Sequence, residues 1–276
     1  MVNGYEICLG VGSEWGLPVL DVMTILKETG FDGFFVKWDK NTNIKEIKTH
    51  AQVLGLKFQS IHAPYYNVAD MWDGNEKTEE AIKELLACVE DCYQNNVPIM
   101  VSHAIIGFDK HSPNEIGVNS FKVVVERAKE LGVKVAFENT EGEEYLHLLM
   151  DSFKDYDNVG FCWDTGHEMC YSLCKDLLAL YGERLLSTHI NDNLGATDPQ
   201  NIFWTDDLHL LPFDGIANWQ GITDRLKAYG YCGELTFEMC KSSKPNRHEN
   251  DRYDAMSVEE YVKEIYERAT KVAELM

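Results

Sequence analysis

Six short apolar runs each end in a side chain able to hold a cation or a proton: Ser60-Ile61-His62, Val101-Ser102-His103, Ala136-Phe137-Glu138, Cys162-Trp163-Asp164, Thr188-His189 and Thr236-Phe237-Glu238. Carboxylate and imidazole, once converged, serve metal ligation or acid–base work. A lone histidine at such a position is more often a hydrogen-bonded structural group. Glu138 and Glu238 resist that account. Each closes an apolar run, and an unpaired buried carboxylate is costly, so a cation or a proton must compensate it. Six separate structural explanations are needed where one shared site suffices.

Glu138, Asp164, His189 and Glu238 supply three carboxylates and one imidazole. Hard oxygen donors with one nitrogen suit a divalent metal ion such as Mn²⁺, Mg²⁺, Co²⁺ or Zn²⁺ better than copper or an iron–sulfur cluster. With so much negative charge around one ion, the two glutamates are candidate proton carriers as well as ligands. A second cluster follows in Trp204-Thr205-Asp206-Asp207-Leu208-His209. Asp207 and His209 share one side of an extended segment, so they are further metal-ligand candidates, with a solvated acidic loop as the plainer alternative. Trp15, Tyr65, Tyr66, Trp72, Trp163 and Trp204 offer flat faces on which a sugar ring can stack, although packing under long loops explains each equally well. Trp15 is counted among the substrate contacts. The run Glu141-Gly142-Glu143-Glu144 has the charge of a helix start, with Glu144 close enough in sequence to reach the site.

These residues need a frame that brings distant strand ends together. Strands are expected at Tyr5–Leu9, Gly33–Val36, Lys57–Ile61, Ile99–Ser102, Lys134–Phe137, Val159–Trp163, Leu186–Ile190 and Leu235–Phe237. Helical patterns fall at Leu17–Thr29, Asn43–Leu54, Thr78–Asn95, Pro113–Leu131, Glu144–Phe153, Cys170–Tyr181, Trp219–Tyr229 and Val258–Leu275, several ending in glycine, as at Gly30, Gly55, Gly132 and Gly230. Strand, helix, glycine, strand marks βα units in a parallel sheet. The 276 residues match the roughly 250 that a (β/α)₈ barrel takes. The rival, a doubly wound open sheet, carries G-x-G-x-x-G after its first strand. Here Gly10-Val11-Gly12-Ser13-Glu14-Trp15-Gly16 places the last glycine one position late and is read as a flexible loop. The expected fold is therefore an α/β TIM barrel forming a single domain over residues 1–276, with the candidate residues at the C-terminal mouth.

The stretches Ser60-Ile61-His62-Ala63-Pro64, Phe137-Glu138-Asn139-Thr140, Val159 to His167 and His189-Ile190-Asn191-Asp192-Asn193 resemble the xylose isomerase-like barrel superfamily over nearly the whole chain. That group holds sugar and sugar phosphate isomerases and epimerases together with endonuclease IV-type AP endonucleases. In the isomerase branch, the resemblance implies one divalent metal on Glu138, Asp164, His189 and Glu238, proton transfer by the two glutamates, and substrate contact by His167. In the endonuclease branch, it implies a trinuclear zinc cluster on His62, His103, Glu138, Asp164, His167, His189, Asp207, His209 and Glu238. All nine residue types are present, so ligand inventory does not separate the branches. One position departs: the arginine that ketose 3-epimerases place six residues past their metal-binding histidine is Gly195 here, which leaves the substrate open.

Charge separates what inventory does not. With 25 Lys+Arg against 46 Asp+Glu, the net charge is −21, and such a surface repels a phosphate backbone. No nucleic-acid partner is expected, and no Lys/Arg cluster at the strand ends marks a phosphate site. Met1–Gly12 has no signal-peptide pattern, and no apolar run reaches the roughly 20 residues of a membrane helix, so a cytoplasmic location away from membranes is expected. The eight scattered cysteines are expected to be reduced and packed in or near the core, with Cys88/Cys92 and Cys170/Cys174 each on one helix face. The resulting expectation is a metal-dependent sugar or polyol isomerase/epimerase. The ion chelates a carbonyl and stabilises the enediolate, Glu138 and Glu238 move protons, and His62, His103 and His167 orient substrate oxygens. The alternatives are zinc-dependent cleavage at abasic sites and a non-catalytic sugar-binding barrel. The small-molecule partner is a sugar or polyol, and a homo-oligomer is compatible with all three.

Overall fold

The short runs pair as eight parallel strands: β1 (Ile7–Val11), β2 (Gly33–Lys37), β3 (Lys57–His62), β4 (Ile99–His103), β5 (Lys134–Glu138), β6 (Val159–Asp164), β7 (Leu185–His189) and β8 (Leu235–Phe237). The computed structural model describes residues 1–12, 15–109 and 112–276. Neighbours follow chain order from β1 to β7, and β8 lies on β1. The circle closes just past β7, where the Ile190 N–H donates to Thr236 O at 2.8 Å and the Glu238 N–H to Ile190 O at 3.2 Å. This is the expected barrel.

Helices α1 (Val19–Thr29), α2 (Ile44–Leu54), α3 (Glu76–Gln94), α4 (Glu115–Leu131), α5 (Glu143–Ser152), α6 (Thr165–Cys170), α7 (Leu178–Tyr181) and α8 (Trp219–Ala228) lie between the strands, and α9 (Asp251–Asp254) and α10 (Val258–Glu274) follow β8. Their ends are chemically marked. In α4 the Asn114 side chain accepts the Gly117 N–H, Phe121, Val124, Val125 and Ala128 are buried at helical spacing, and Gly132 ends the helix at φ 71°. Of the expected helix Cys170–Tyr181 only the two ends are helical, as the last residue of α6 and the single turn α7. Asp164, at the tip of β6, accepts the His167 N–H at 2.7 Å and so starts α6 at once. The chain then leaves the helix through Leu173 and Cys174, both at positive φ. Cys170 is therefore buried and Cys174 exposed, while Cys88 and Cys92 share the buried face of α3. All eight cysteines are free.

Two register slips set which side chains face the barrel axis. Against β2, Phe34 pairs with Phe58 but Phe35 with Ser60, so Gln59 is an extra residue. Against β6, Phe161 pairs with Leu185 but Cys162 with Ser187, so Leu186 is extra. Strand side chains alternate, and one extra residue reverses the alternation beyond it. Phe58 and Ile61 can thus both join the core under the helices, while His62 turns inward. Gln59 and Ser187 meet inside the barrel, Nε2 donating to Oγ at 2.9 Å.

The glycine-rich stretch after β1 is partly a strand rather than a loop. Gly10 lies inside β1, and a Cβ there would stand 2.5 Å from the Phe35 ring. Ser13 and Glu14 of that stretch lie outside the described residues. Phe35 fills the notch and stacks on the His189 imidazole, centroids 4.6 Å apart and planes 16° apart. Gly10→Ala is expected to overpack the barrel at a cost of about 1–3 kcal/mol. Denaturant unfolding measures the cost. Wild-type stability in that variant would show that the ring has room to move.

The long segment between β7 and α8 is tied down by Asp214. Its carboxylate accepts from Arg268 Nη1 at 2.5 Å and from the Tyr253 hydroxyl, and pairs with Arg252. Burial raises its proton affinity, but these partners outweigh burial and hold the carboxyl below the usual range. A carboxyl of lowered pKa adds stability above its unfolded value, and that share is lost as pH falls through the folded value. Asp214→Asn is expected to cost about 1–3 kcal/mol at neutral pH, with the gap closing below about pH 4. Melting curves of the two proteins at pH 7 and pH 3 check both statements. No helix among the described residues is long and apolar enough to cross a membrane.

Candidate metal and substrate site

The C-terminal ends of the strands surround a cavity of about 480 Å³. Glu138 is 1% exposed, Asp164 and His189 are fully buried, and Glu238 is 7% exposed. Glu138, the last residue of β5, is the hub. Its Oε1 lies 2.9 Å from His189 Nδ1 and 3.6 Å from His167 Nδ1, and its Oε2 lies 3.2 Å from His62 Nε2 and 3.4 Å from His103 Nε2. His189 Nδ1 is also 3.1 Å from Glu238 Oε2, so one imidazole stands between the two glutamates. Asp164 completes the group and is itself oriented, Oδ1 by the His167 N–H and Oδ2 by Asn191 Nδ2 at 2.9 Å.

Asp207 and His209 converge on the same space. Asp207 Oδ1 lies 3.3 Å from His167 Nε2 and 3.0 Å from His209 Nδ1, and His209 Nε2 lies 3.7 Å from both Asp164 Oδ2 and Glu238 Oε2. His167 Nδ1 lies 2.9 Å from Asn139 O, which turns Nε2 toward the cavity.

Ligand atoms within 4.8 Å of one another form three overlapping groups: Glu138, Asp164, His189 and Glu238; His62, His103 and Glu138; and Asp164, His167 and His209. Asp207 Oδ1 and both ring nitrogens of His209 are buried without a hydrogen-bond partner among the described residues, despite their close approach. Oxygen and nitrogen donors packed this closely around one space suit a cation. The buried His/Glu/Asp group is able to hold a metal ion, and its oxygen-rich donor set fits a divalent one.

Electrostatics agree with the packing. Burial raises the proton affinity of Glu138, but His189, His103 and His62 outweigh it and hold the carboxyl well below the ordinary range. Glu238 behaves likewise, with Lys37 and His189 as the main counterweights to burial. Burial disfavours charge on His167, yet Asp164 and Asp207 push it up to about 10. Burial dominates at His62 and lowers it. At neutral pH the site thus holds ionised glutamates, a charged His167 and a neutral His62.

Of the aromatic candidates, Tyr65, Tyr66 and Trp204 line the cavity. Trp15 does not: it is 7% exposed, edge-on to Tyr261 with centroids 5.6 Å apart, and belongs to the core. Trp72 and Trp163 are core residues too, their indole N–H groups donating to Ala104 O and Glu168. From the acidic run, the residue that lines the cavity is Glu141, which accepts the Gly107 N–H at 2.6 Å; Glu144 is exposed and off the wall. Two lysines absent from the sequence-derived site also line the cavity. Lys37 Nζ is 3.1 Å from Glu238 Oε1, and Lys244 Nζ is 3.5 Å from Asp207 Oδ2. Lys37 ends an apolar strand as the six candidates do, so the same signal could have found it. Lys244 follows β8 in an irregular segment and carries no such mark.

Known proteins resemble the chain in sequence and shape. Uncharacterized protein y4fM of Sinorhizobium fredii is 38% identical over 125 residues, which span 43% of this chain but only 37% of that one. An inosose isomerase of Halalkalibacterium halodurans is 25% identical over 247 residues, covering 84% of this chain and 81% of the relative. A probable endonuclease 4 of Mycoplasma capricolum is 31% identical over 129 residues, 42% of this chain and 43% of that one. Among solved structures, the IolI protein with a bound zinc atom superposes with a TM-score of 0.72 at 16% identity, covering 97% of this chain and 98% of that one. A family model described as xylose isomerase-like TIM barrel matches residues 23–261, nearly the whole run of strands and helices that carries the site. The chain belongs to the xylose isomerase-like TIM barrel family.

Proposed function

We propose that this protein is a divalent-metal-dependent sugar or polyol isomerase or epimerase. The observation that carries the reading is the pair of ionised glutamates, Glu138 and Glu238, joined through His189 at the floor of a cavity with aromatic walls. Glu138, Asp164, His189 and Glu238 would hold the ion, which when bound supplies Lewis-acid polarisation of a substrate carbonyl. One glutamate takes the proton from the carbon next to the carbonyl, and the C–H electron pair moves toward the carbonyl carbon as its oxygen gains charge. Charged His167 donates a hydrogen bond to a substrate oxygen, and the Nε2 atoms of His62 and His103 orient others. The same glutamate, now protonated, returns that proton to the neighbouring carbon in an isomerisation; in an epimerisation the second glutamate first takes a proton from solvent and delivers it to the opposite face, and the first releases its own to solvent. An inosose isomerase is similar over most of the chain, in support of this chemistry.

The test is proton exchange. The Mn²⁺-loaded protein is incubated in D₂O with inososes, ketoses and keto-sugars, and NMR follows deuterium entering at the carbon beside the carbonyl. Exchange that needs Glu238 supports the reading; its absence from the whole panel overturns it. The three ligand groups favour one rival, cleavage at abasic sites. Incision of an abasic duplex with three zinc ions per chain would replace the isomerase reading.

A further inference from the structure

A second depression adjoins the main cavity. Lys37, Tyr65 and Tyr66 line both, and the second, of about 330 Å³, is formed by the segments that follow β2 and β3. The two spaces therefore share one wall. Lys37 stands at the junction, with its Nζ on Glu238, one of the proposed proton carriers.

The chemistry of the second depression differs from the first. It lacks the imidazole cluster and offers amides and charges of both signs: Asn41, Asn67, Asp39, Lys40 and Glu84. Tyr65 and Tyr66 form its platform, with ring centroids 4.5 Å apart, and Tyr66 is 80% exposed. Amide and charged hydrogen-bonding groups beside an exposed aromatic face suit a hydroxyl-rich ring with an apolar face. The balanced charge offers little to a chain of phosphates, which needs a basic track.

We infer that the two depressions form one substrate groove, the second taking the distal unit of a disaccharide or other glycoside whose reacting ring lies over Glu138 and Glu238. This rests on the sugar reading above and narrows it, from a free monosaccharide to a glycosidically linked substrate.

Binding to the full, Mn²⁺-loaded chain tests it with matched pairs of probes: D-glucose with maltose and cellobiose, D-galactose with lactose, and D-fructose with sucrose. Calorimetry or saturation-transfer NMR gives each affinity. A disaccharide is expected to bind roughly three- to tenfold tighter than its monosaccharide, and Tyr66→Ala to reduce that ratio by a similar factor. A melting curve checks that Tyr66→Ala folds, and Asn41→Ala, altered only in the second depression, replaces it if it does not. Equal affinity within every pair overturns the inference alone, as does a preference that survives both variants. Failure of every sugar in the panel to bind overturns this inference, whereas the sugar or polyol reading falls only if the proton-exchange panel is silent as well.

Discussion

Glu238→Gln protein is expected to melt within about 1 kcal/mol of wild type and to lose at least about 10³-fold in turnover. Glutamine keeps the size of the side chain and an oxygen for Lys37, which is 43% exposed and can turn to water. It loses the charge that makes the carboxylate a base and half of the pair held by His189. Glu138 is the less clean target, because four imidazoles lie within 3.6 Å of its oxygens and its replacement would disturb them all. The decisive measurement is single-turnover proton exchange beside a melting curve. A fully active Glu238→Gln protein would remove this residue from the chemistry.

Chelation is expected to abolish turnover altogether and to destabilise the fold. Glu138, Asp164, Asp207 and Glu238 crowd one space, and imidazolium and lysine charges are left to compensate them when no divalent ion does. A ligand present at a hundred times its Kd stabilises by about 3 kcal/mol, which for a chain of this size moves Tm by roughly 6–12 °C. Dialysis against EDTA followed by calorimetry, with metal analysis of native protein, measures the loss and the stoichiometry together. One ion per chain agrees with the four-residue group. An apo-protein of unchanged Tm and activity would show that the donors do not work as a cage.

Much of this site was legible because polar residues at the ends of apolar runs are conspicuous. His62, His103, Glu138, Asp164, His189 and Glu238 announce themselves that way, and the barrel brings them to one mouth. Asp207 and His209 were legible from spacing alone. Trp15 was not, since an aromatic near a strand end has the same local pattern whether it faces a cavity or packs on Tyr261. The early end of α6 was hidden for another reason: Asp164 is at once a candidate ligand and a helix cap, and the periodicity downstream does not reveal the cap. The notch at Gly10 depends on a ring in the next strand, a contact invisible to any pattern along one segment. Lys244 reaches the cavity from irregular chain, where no period applies.

The extra residues at Gln59 and Leu186 make the active face a matter of counting. Losing either one would rotate the histidine that follows, His62 or His189, from the lumen to the helix side while leaving composition almost untouched. Diversification of this barrel by single-codon gain or loss is therefore closed within β3 and β7. The mouth loops beyond the histidines are under no such numerical constraint, and new specificities would have to be written there.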